Sequence, residues 1–368
     1  MTRPTALTID LDHLRHNFKL AQILHGERVL AVVKANAYGH QAISCARALD
    51  NLADGFAVAT LEEALQLRGA CLRQPIVLLE GLFEAAELAE AVAQDLTPVF
   101  HTPQQLEWLA SAPQGAFDSL WIKVDTGMHR LGFAPQEIPQ LAERLSRQRG
   151  ICHLTLMTHF AHADGQQPQA LDEPMQRLHQ TLQSLRALPG LQVHTSLCNS
   201  GAILGYPAVR GDWGRPGLML YGVDPAAPTM ANRQPLQPVM RLTSRITAIN
   251  RVPPGASVGY GALFTATRPT RAGIVPCGYA DGYPRSAQQG TPVLVGEVRV
   301  PLIGRVSMDM LSVDLTDHPQ LGLGSPVELW GTRLPVAEVA HCAQTIAYEL
   351  LCHVRRAPVH YRGAHDLE

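Results

Sequence analysis

Over the first 225 residues, short apolar runs alternate with amphipathic stretches, and this rhythm constrains the fold more than any other feature. Continuously apolar runs suit strands of a parallel sheet covered on both faces, and their alternation with helices predicts right-handed βαβ units. The number of such units and the length they occupy match a closed (β/α)8 barrel. A doubly wound open sheet is the rival, but no GxGxxG motif follows the first run. The runs begin near Val29, Gly55, Pro75, Thr97, Leu120, His153, Val193 and Gly217.

After about residue 230 the pattern changes to β-branched runs interrupted by proline and glycine. Interruptions at this spacing are typical of a β-sandwich or small β-barrel. We therefore predict a (β/α)8 barrel over residues 1–230 and a mainly-β domain over 231–368. The Pro- and Ala-rich stretch VDPAAPTMANRQPLQP holds the expected boundary. One helix near the C-terminus, in LPVAEVAHCAQTIAYELLCHV, is expected to pack on the β domain.

Composition excludes several classes of partner. A formal net charge of −2 gives no basic surface for nucleic acid or an anionic membrane. No apolar run is long enough to span a bilayer, and the N-terminus lacks the apolar core of a secretory signal, so we expect a cytoplasmic protein. The seven cysteines form no CxxC pair and are expected to be free thiols.

Lysine is rare in this chain, which has 30 lysines and arginines together but only three lysines, at positions 19, 34 and 123. Lys34 and Lys123 lie in apolar segments, where an unpaired ammonium is costly. Arginine cannot replace lysine where a nucleophilic amine is needed, because its guanidinium does not lose its proton. Lys34 is therefore a candidate Schiff-base lysine. A lysine with a buried stem and a solvated head is the alternative.

Several polar residues follow the predicted strands, where a barrel carries its reactive groups. Lys34, Asp125, His159 and Asn199-Ser200 should converge on that face. Asn199-Ser200-Gly201 fits an anion-binding turn or, equally, a helix N-cap.

Two further side chains leave alternatives open, and a metal site is not expected. Lys123 could carry a carbamate that pairs with Arg130, or it could pair with Asp125. Tyr260 stands between two glycines and should be accessible; a packed surface ring is the alternative. The histidines show no metal-binding spacing, so no metal is predicted.

The chain resembles the alanine racemases in segments distributed over nearly its whole length. These are AVVKANAYGH, WIKVDTGMHRLGF, THFAHAD, CNSGA, RPGLMLYG, VGYGA, GYADGYPR and GRVSMDM, in this order. The resemblance, which is closest to the proteobacterial type, implies a homodimeric enzyme that depends on pyridoxal 5′-phosphate (PLP). It would interconvert L-alanine and D-alanine, with Lys34 acting on the D face and Tyr260 of the partner subunit on the L face.

The resemblance also implies roles for other side chains. Lys34 would bind PLP covalently, and Arg215, near His159, would face the pyridine nitrogen. Arg130 and Met308 would bind substrate, Met308 from the partner subunit, and Lys123 would be carbamylated to hold Arg130. The remaining PLP contacts would be Tyr38, Asn199, Ser200, Gly217 and Leu218, and the entrance would be lined by Asp164, Tyr279, Arg285 and Arg305.

The sequence departs from the family pattern at three places. His129 replaces a glycine in DTGMHRLG, and Ser307 replaces a cysteine in GRVSMDM. Where relatives carry a phosphate-contacting tyrosine near the C-terminus, HVRRAP offers Arg355.

Alternatives to the alanine racemase reading are a broad-specificity amino-acid racemase and, less favoured, a non-enzymatic PLP carrier. The metabolic role, supply of D-alanine for peptidoglycan or degradation of alanine, stays open.

Overall fold

The computed structural model describes residues 3–113, 115–117, 119–149, 151–165, 168–226 and 234–363 of the chain. Its strands are β1 Ala6–Asp10, β2 Arg28–Val32, β3 Gly55–Val58, β4 Ile76–Leu78, β5 Leu96–Phe100, β6 Ser119–Lys123, β7 His153–Met157, β8 Gln192–Ser196, β9 Trp213–Gly214, β10 Met240–Arg245, β11 Ala248–Val252, β12 Ser257–Val258, β13 Phe264–Thr265, β14 Thr270–Val275, β15 Pro292–Val295, β16 Val298–Ile303, β17 Leu311–Asp314, β18 Pro326–Trp330 and β19 Val359–Arg362. Its helices are α1 Leu11–His25, α2 Lys34–Tyr38, α3 Ala42–Leu49, α4 Leu61–Gly69, α5 Glu87–Ala93, α6 Pro103–Ser111, α7 Ile138–Arg149, α8 Asp172–Arg186, α9 Ser200–Gly205, α10 Val336–Cys342 and α11 Ala347–His353.

Strands β2 to β9 form a closed parallel barrel, which confirms the predicted fold class. Every residue of β3 and β4 is buried, as expected for strands with the barrel interior on one side and helices on the other. Helix α1 begins where the Asp10 carboxylate accepts a hydrogen bond from the His13 amide at 3.1 Å. Its inward face buries Leu11, Leu14 and Phe18, which recur at helical spacing.

The prediction that the eighth barrel strand begins near Gly217 was wrong. The strand that closes the barrel is β9, which pairs with β2 between Trp213 and Arg28. Residues Leu218–Tyr221 form a 3-10 turn instead. Pro216 has no N–H to donate to a strand ladder, and Gly217, at φ −116° and ψ −89°, leaves the extended region.

A nine-stranded sheet forms the second layer of structure, in the order β11-β14-β17-β16-β15-β18-β10-β1-β19. Strand β1, from the start of the chain, lies inside this sheet, antiparallel to β10 and parallel to β19. Strand β10 alternates buried and exposed residues, as expected for a strand with one solvated face. The division at residues 230 and 231 stays a prediction, since 227–233 lie outside the described residues.

The C-terminal helical segment differs from the single helix that its sequence predicts. It forms two helices, α10 and α11, separated near Gln344, whose φ is +57°. Helix α11 packs against α2 at the barrel as well as against the β domain, because Gly39 lets the Leu351 carbonyl approach closely. A Cβ at position 39 would lie 2.2 Å from that oxygen. Among the described residues, no helix has both the length and the apolar character needed to cross a bilayer.

Candidate active site

A cavity of about 670 Å³ opens at the carboxyl ends of the barrel strands, with α11 along one side. The structure brings most of the predicted barrel residues together around it. Those that line the cavity are Lys34, Tyr38, Lys123, Arg130, His159, Asp164, Asn199, Ser200, Arg215, Gly217 and Leu218.

Lys34 enters the cavity from α2, whose backbone forms a left-handed turn. The residues after it, Ala35 to Tyr38, all have φ between +52° and +53°. This conformation costs about 1–2 kcal/mol for each residue with a Cβ, so several kcal/mol of strain must be offset by the surroundings. Part of the compensation comes from the turn's own hydrogen bonds, such as that from the Ala37 amide to the Val33 carbonyl at 2.8 Å.

Arg215 is a buried cation at the wall of the cavity, only 5% exposed. Its guanidinium donates to the Ser196 hydroxyl at 2.7 Å and to the Thr158 carbonyl at 2.5 Å. Burial lowers its pKa to about 10, so it stays charged at neutral pH. Within the described parts of the chain no carboxylate forms an ion pair with it, which leaves its charge available to a ligand.

His159 lies beside this cation and is held neutral. Burial, and then the positive charge of Arg215, lower the pKa of the imidazole to about 2. Its Nε2 lies 3.4 Å from the Asn199 amide nitrogen. A neutral ring next to a guanidinium can stack or accept a hydrogen bond without adding charge to the site.

Lys123 is buried, 7% exposed, at the end of β6. Burial, and then the charges of Arg215, Arg130 and Lys34, lower the pKa of its amine to about 7. A neutral amine is the form that can react with carbon dioxide. The structure does not support the alternative pairing with Asp125, because that carboxylate faces His129 and lines a different pocket from Lys123.

The loop after β6 carries Arg130 to the cavity and is closed by its own backbone. The Asp125 amide donates to the Phe133 carbonyl, and the Phe133 amide donates to the Lys123 carbonyl, both at 2.9 Å. The Asp125 carboxylate accepts from the backbone amide of His129 at 3.1 Å, and its second oxygen lies 3.0 Å from the His129 ring. His129 has φ +55°, a conformation that a glycine would adopt without steric cost.

Asn199 and Ser200 organise the turn opposite Lys34. The Asn199 side chain caps α9 by accepting from the Ala202 amide at 3.0 Å, so the N-cap interpretation is confirmed. The Ser200 hydroxyl accepts from the amides of Gly217 and Met219 at 2.9 and 3.2 Å. With both lone pairs used, its proton is left to donate to another acceptor.

Tyr348 is the residue that the sequence reasoning missed. It lines the cavity from α11, with its ring centroid 5.9 Å from that of Tyr38. Burial, and then Asp164, raise the pKa of its hydroxyl to about 12, so it remains a donor. The expectation that Arg355 stands in for a tyrosine was wrong, since Arg355 lines a different pocket. The signal was the tyrosine in the segment TIAYELLCHV, since Tyr348 lies seven residues before Arg355.

The other predicted site residues are not in this cavity. Tyr260 occupies the tip of the β12–β13 hairpin and is 73% exposed, and Met308 is 54% exposed. The two loops are neighbours, because a Cβ on Gly259 would lie 3.3 Å from the Arg305 amide. The Tyr279 amide donates to the Ser307 carbonyl at 3.1 Å. One group on the β domain thus contains Tyr260, Tyr279, Arg305 and Met308. Arg285 is exposed and follows Tyr279 closely in the sequence.

Comparisons with known proteins agree with this architecture. Residues 9–225 match the sequence model of the alanine racemase N-terminal domain, and residues 239–361 match that of the C-terminal domain. The chain belongs to the alanine racemase family. An alanine racemase from Aromatoleum aromaticum is 53% identical over 361 residues, which cover 98% of this chain and 100% of that relative. Membership of the family makes the chain an isomerase.

Solved alanine racemase structures have the same fold. The biosynthetic alanine racemase from Pseudomonas aeruginosa superposes with a TM-score of 0.91 at 45% identity, covering 98% of this chain and 99% of that one. An alanine racemase from Bartonella henselae, solved with covalently bound pyridoxal phosphate, superposes with a TM-score of 0.88 at 28% identity, covering 97% of this chain and 99% of that one.

Proposed function

We propose that this chain interconverts L-alanine and D-alanine, with PLP held in the barrel cavity. The observation that carries the proposal is the position of Lys34, which lines the same cavity as the buried Arg215 and three hydroxyl groups. An amine that can attach a cofactor, a fixed cation and several donors are the groups that an anionic aldehyde cofactor requires. The Bartonella henselae relative, which carries covalently bound pyridoxal phosphate, supports the same cofactor here.

The residues around the cavity fit PLP. Ser200 has an unused proton to donate to a phosphate oxygen, and the hydroxyls of Tyr38 and Tyr348 line the same space. Arg215 would face the ring nitrogen as a donor that keeps its proton, with the neutral His159 beside it. We assign the remaining contacts to Asn199, Gly217 and Leu218. When bound, PLP makes the α-proton of an amino acid acidic by withdrawing electrons.

Inverting a stereocentre by removing and returning its α-proton requires an acid–base group on each face. We assign the D face to Lys34 and the L face to Tyr260 of the partner subunit. The exposure of the Tyr260 hairpin and its distance from this chain's own cavity support a homodimer in which each subunit completes the other's site. Met308 of the partner subunit would arrive with it.

Arg130 would bind the substrate carboxylate, and Lys123 would hold Arg130 in place. Arg130 would pair with the carboxylate, and a carbamate on Lys123 would pair with Arg130 and fix its direction. The low pKa of Lys123 supports this assignment, because carbamylation needs the neutral amine. Asp164, Tyr279, Arg285 and Arg305 would line the entrance, the last three from the partner subunit.

The metabolic direction follows from demand. The two enantiomers have equal free energies, so the same catalyst supplies D-alanine for peptidoglycan or removes alanine, whichever side is consumed. We also propose a cytoplasmic location, in keeping with an odd number of cysteines and the lack of a CxxC motif in the sequence.

The test combines three measurements on the purified protein. We expect it to be yellow, to carry PLP on the Lys34 peptide after borohydride reduction, and to form D-alanine from L-alanine. Lys34→Ala should abolish all three, whereas Lys19→Ala, at an exposed lysine, should change none. A yellow protein that racemises many amino acids equally would favour the broad-specificity racemase. A yellow protein that leaves every amino acid unchanged would favour the carrier.

A further inference from the structure

The left-handed turn after Lys34 is held at both ends by groups outside it. At the end of the turn, two amides that follow it donate to Asn36. The Ala42 amide donates to the Asn36 side-chain oxygen at 2.8 Å, and the Gln41 amide donates to the Asn36 backbone carbonyl at 3.1 Å. At its start, the Ala35 amide donates to the Glu63 carboxylate at 2.7 Å. Ala35 directly follows Lys34, so this bond fixes the backbone from which the Lys34 side chain departs.

Glu63 makes a second bond of the same quality. Its other carboxylate oxygen accepts from the Ala59 amide at 2.7 Å. The carboxylate therefore ties the segment after β2 to the segment after β3, two neighbouring strands of the barrel. It does so from the first turn of α4, where the helix dipole favours a negative charge.

The sequence motif at the start of α4 predicts a different hydrogen-bond partner for Glu63. Thr60 caps α4, and a glutamate three residues later normally reaches back to the amide of the cap residue. Here both oxygens accept from other amides, one of them 28 residues away in the sequence. The carboxylate is therefore directed to the lysine turn as well as to its own helix.

We infer that Glu63 is a positioning residue for Lys34, acting through the Ala35 amide. The inference rests on the proposed function of Lys34 as the group on the D face. A strained turn keeps its shape only when its surroundings hold it. A proton-transfer group displaced by about 1 Å can lose about 10²-fold in rate, so release of this turn should reach the chemistry.

The main variant is Glu63→Gln, which is nearly isosteric and retains one acceptor oxygen for the two amides. Glu63→Ala removes both acceptors. Glu62→Gln is the matched control, because it removes one negative charge from the same helix turn while Glu63 keeps both bonds. Hydrogen exchange of the protein without cofactor is the first readout. We expect faster exchange in the peptides that contain Ala35 and Ala59 for both Glu63 variants, and unchanged exchange for Glu62→Gln.

The second readout is α-deuterium exchange from each enantiomer in deuterated water, at saturating PLP. We expect Glu63→Gln to slow exchange from D-alanine by about 10- to 100-fold, with a smaller effect from L-alanine and little change in KM. Glu63→Ala should be slower still. Unchanged amide exchange, or equal slowing from both enantiomers, would overturn the inference.

A parallel Lys34→Ala variant separates this inference from the proposed function. If Lys34→Ala still binds PLP covalently and racemises alanine, the proposed role of Lys34 fails and the role of Glu63 falls with it. If Lys34→Ala is inactive and Glu63→Gln behaves like the unmodified protein, only the role of Glu63 is refuted.

Discussion

Arg215 donates a hydrogen bond of 2.7 Å to the hydroxyl of Ser196, and both side chains are buried. Ser196 ends β8 and Arg215 follows β9, so the bond joins two adjacent barrel strands directly beneath the cavity. Ser196 also donates to the Trp213 carbonyl at 3.2 Å. The direction of the guanidinium therefore depends on a hydroxyl that has no contact with the cavity itself.

Ser196→Ala should destabilise the protein by about 1–3 kcal/mol, because a buried charged donor loses its acceptor. The change should appear as a melting temperature lowered by several degrees, with a weaker hold on PLP. Ser184→Ala, at an exposed hydroxyl, is the control and should melt like the unmodified protein. Equal melting temperatures for both variants would contradict a structural role for this bond.

Lys123 should make the free energy of unfolding depend on pH in the neutral to alkaline range. Its amine has an ordinary pKa of 10.5 and a folded pKa of about 7, so between these values the unfolded chain binds more protons. The free energy of unfolding should therefore rise with pH across this window and be lower below about pH 7.

We expect the melting temperature of the unmodified protein to rise, relative to Lys123→Met, from pH 7 to 10 in buffer free of bicarbonate. Lys19→Met, at an exposed lysine, should follow the unmodified protein. Parallel curves for Lys123→Met and the unmodified protein would show that this amine does not titrate in the folded state as described.

Gly217 leaves room for Tyr38. A Cβ at position 217 would lie 2.4 Å from the Tyr38 hydroxyl oxygen, closer than any real contact. Gly217→Ala should therefore displace the Tyr38 ring and weaken PLP binding by at least about 10-fold, equivalent to about 1.4 kcal/mol. The double variant Gly217→Ala, Tyr38→Phe should regain part of the loss, since the clashing oxygen is gone. Equal binding by both, measured by PLP titration, would argue that the ring does not move.

Arg3 should matter far more than an ordinary surface arginine. It donates to both oxygens of Asp281, at 2.5 and 2.7 Å, and that side chain has no exposure. Arg3→Ala leaves a buried carboxylate without its main partner, which typically costs about 3–5 kcal/mol. Arg268→Ala breaks an exposed pair with Asp317 and should leave the melting temperature nearly unchanged. Thermal unfolding of the two variants measures the difference.

The sequence predicted the barrel because strands buried on both faces read as unbroken apolar runs, as in β3 and β4. The prediction from sequence failed at β9, because only two residues close the barrel there and Trp213 does not belong to an apolar run. The short apolar segment after Gly217 was ambiguous, since a buried 3-10 turn and a buried strand have the same composition.

The site was less accessible to prediction where it depends on contacts distant in sequence. Tyr348 was missed because its helix was expected to pack on the β domain alone. The left-handed turn at Ala35 gave no signal, since alanine is the strongest helix former and rarely adopts positive φ. Only the folded chain shows that the Glu63 carboxylate accepts a hydrogen bond from the Ala35 amide.

The position of β1 has a consequence for how the chain is made. Strand β1 leaves the ribosome before the rest of this sheet, and its parallel partner β19 leaves it after the other strands, with Leu7 opposite Val359. Throughout synthesis the first strand must wait beside a growing barrel with one edge unpaired, a state prone to wrong association. Loss of β19 would leave that edge of β1 open permanently, so a strand distant in sequence protects β1 against aggregation.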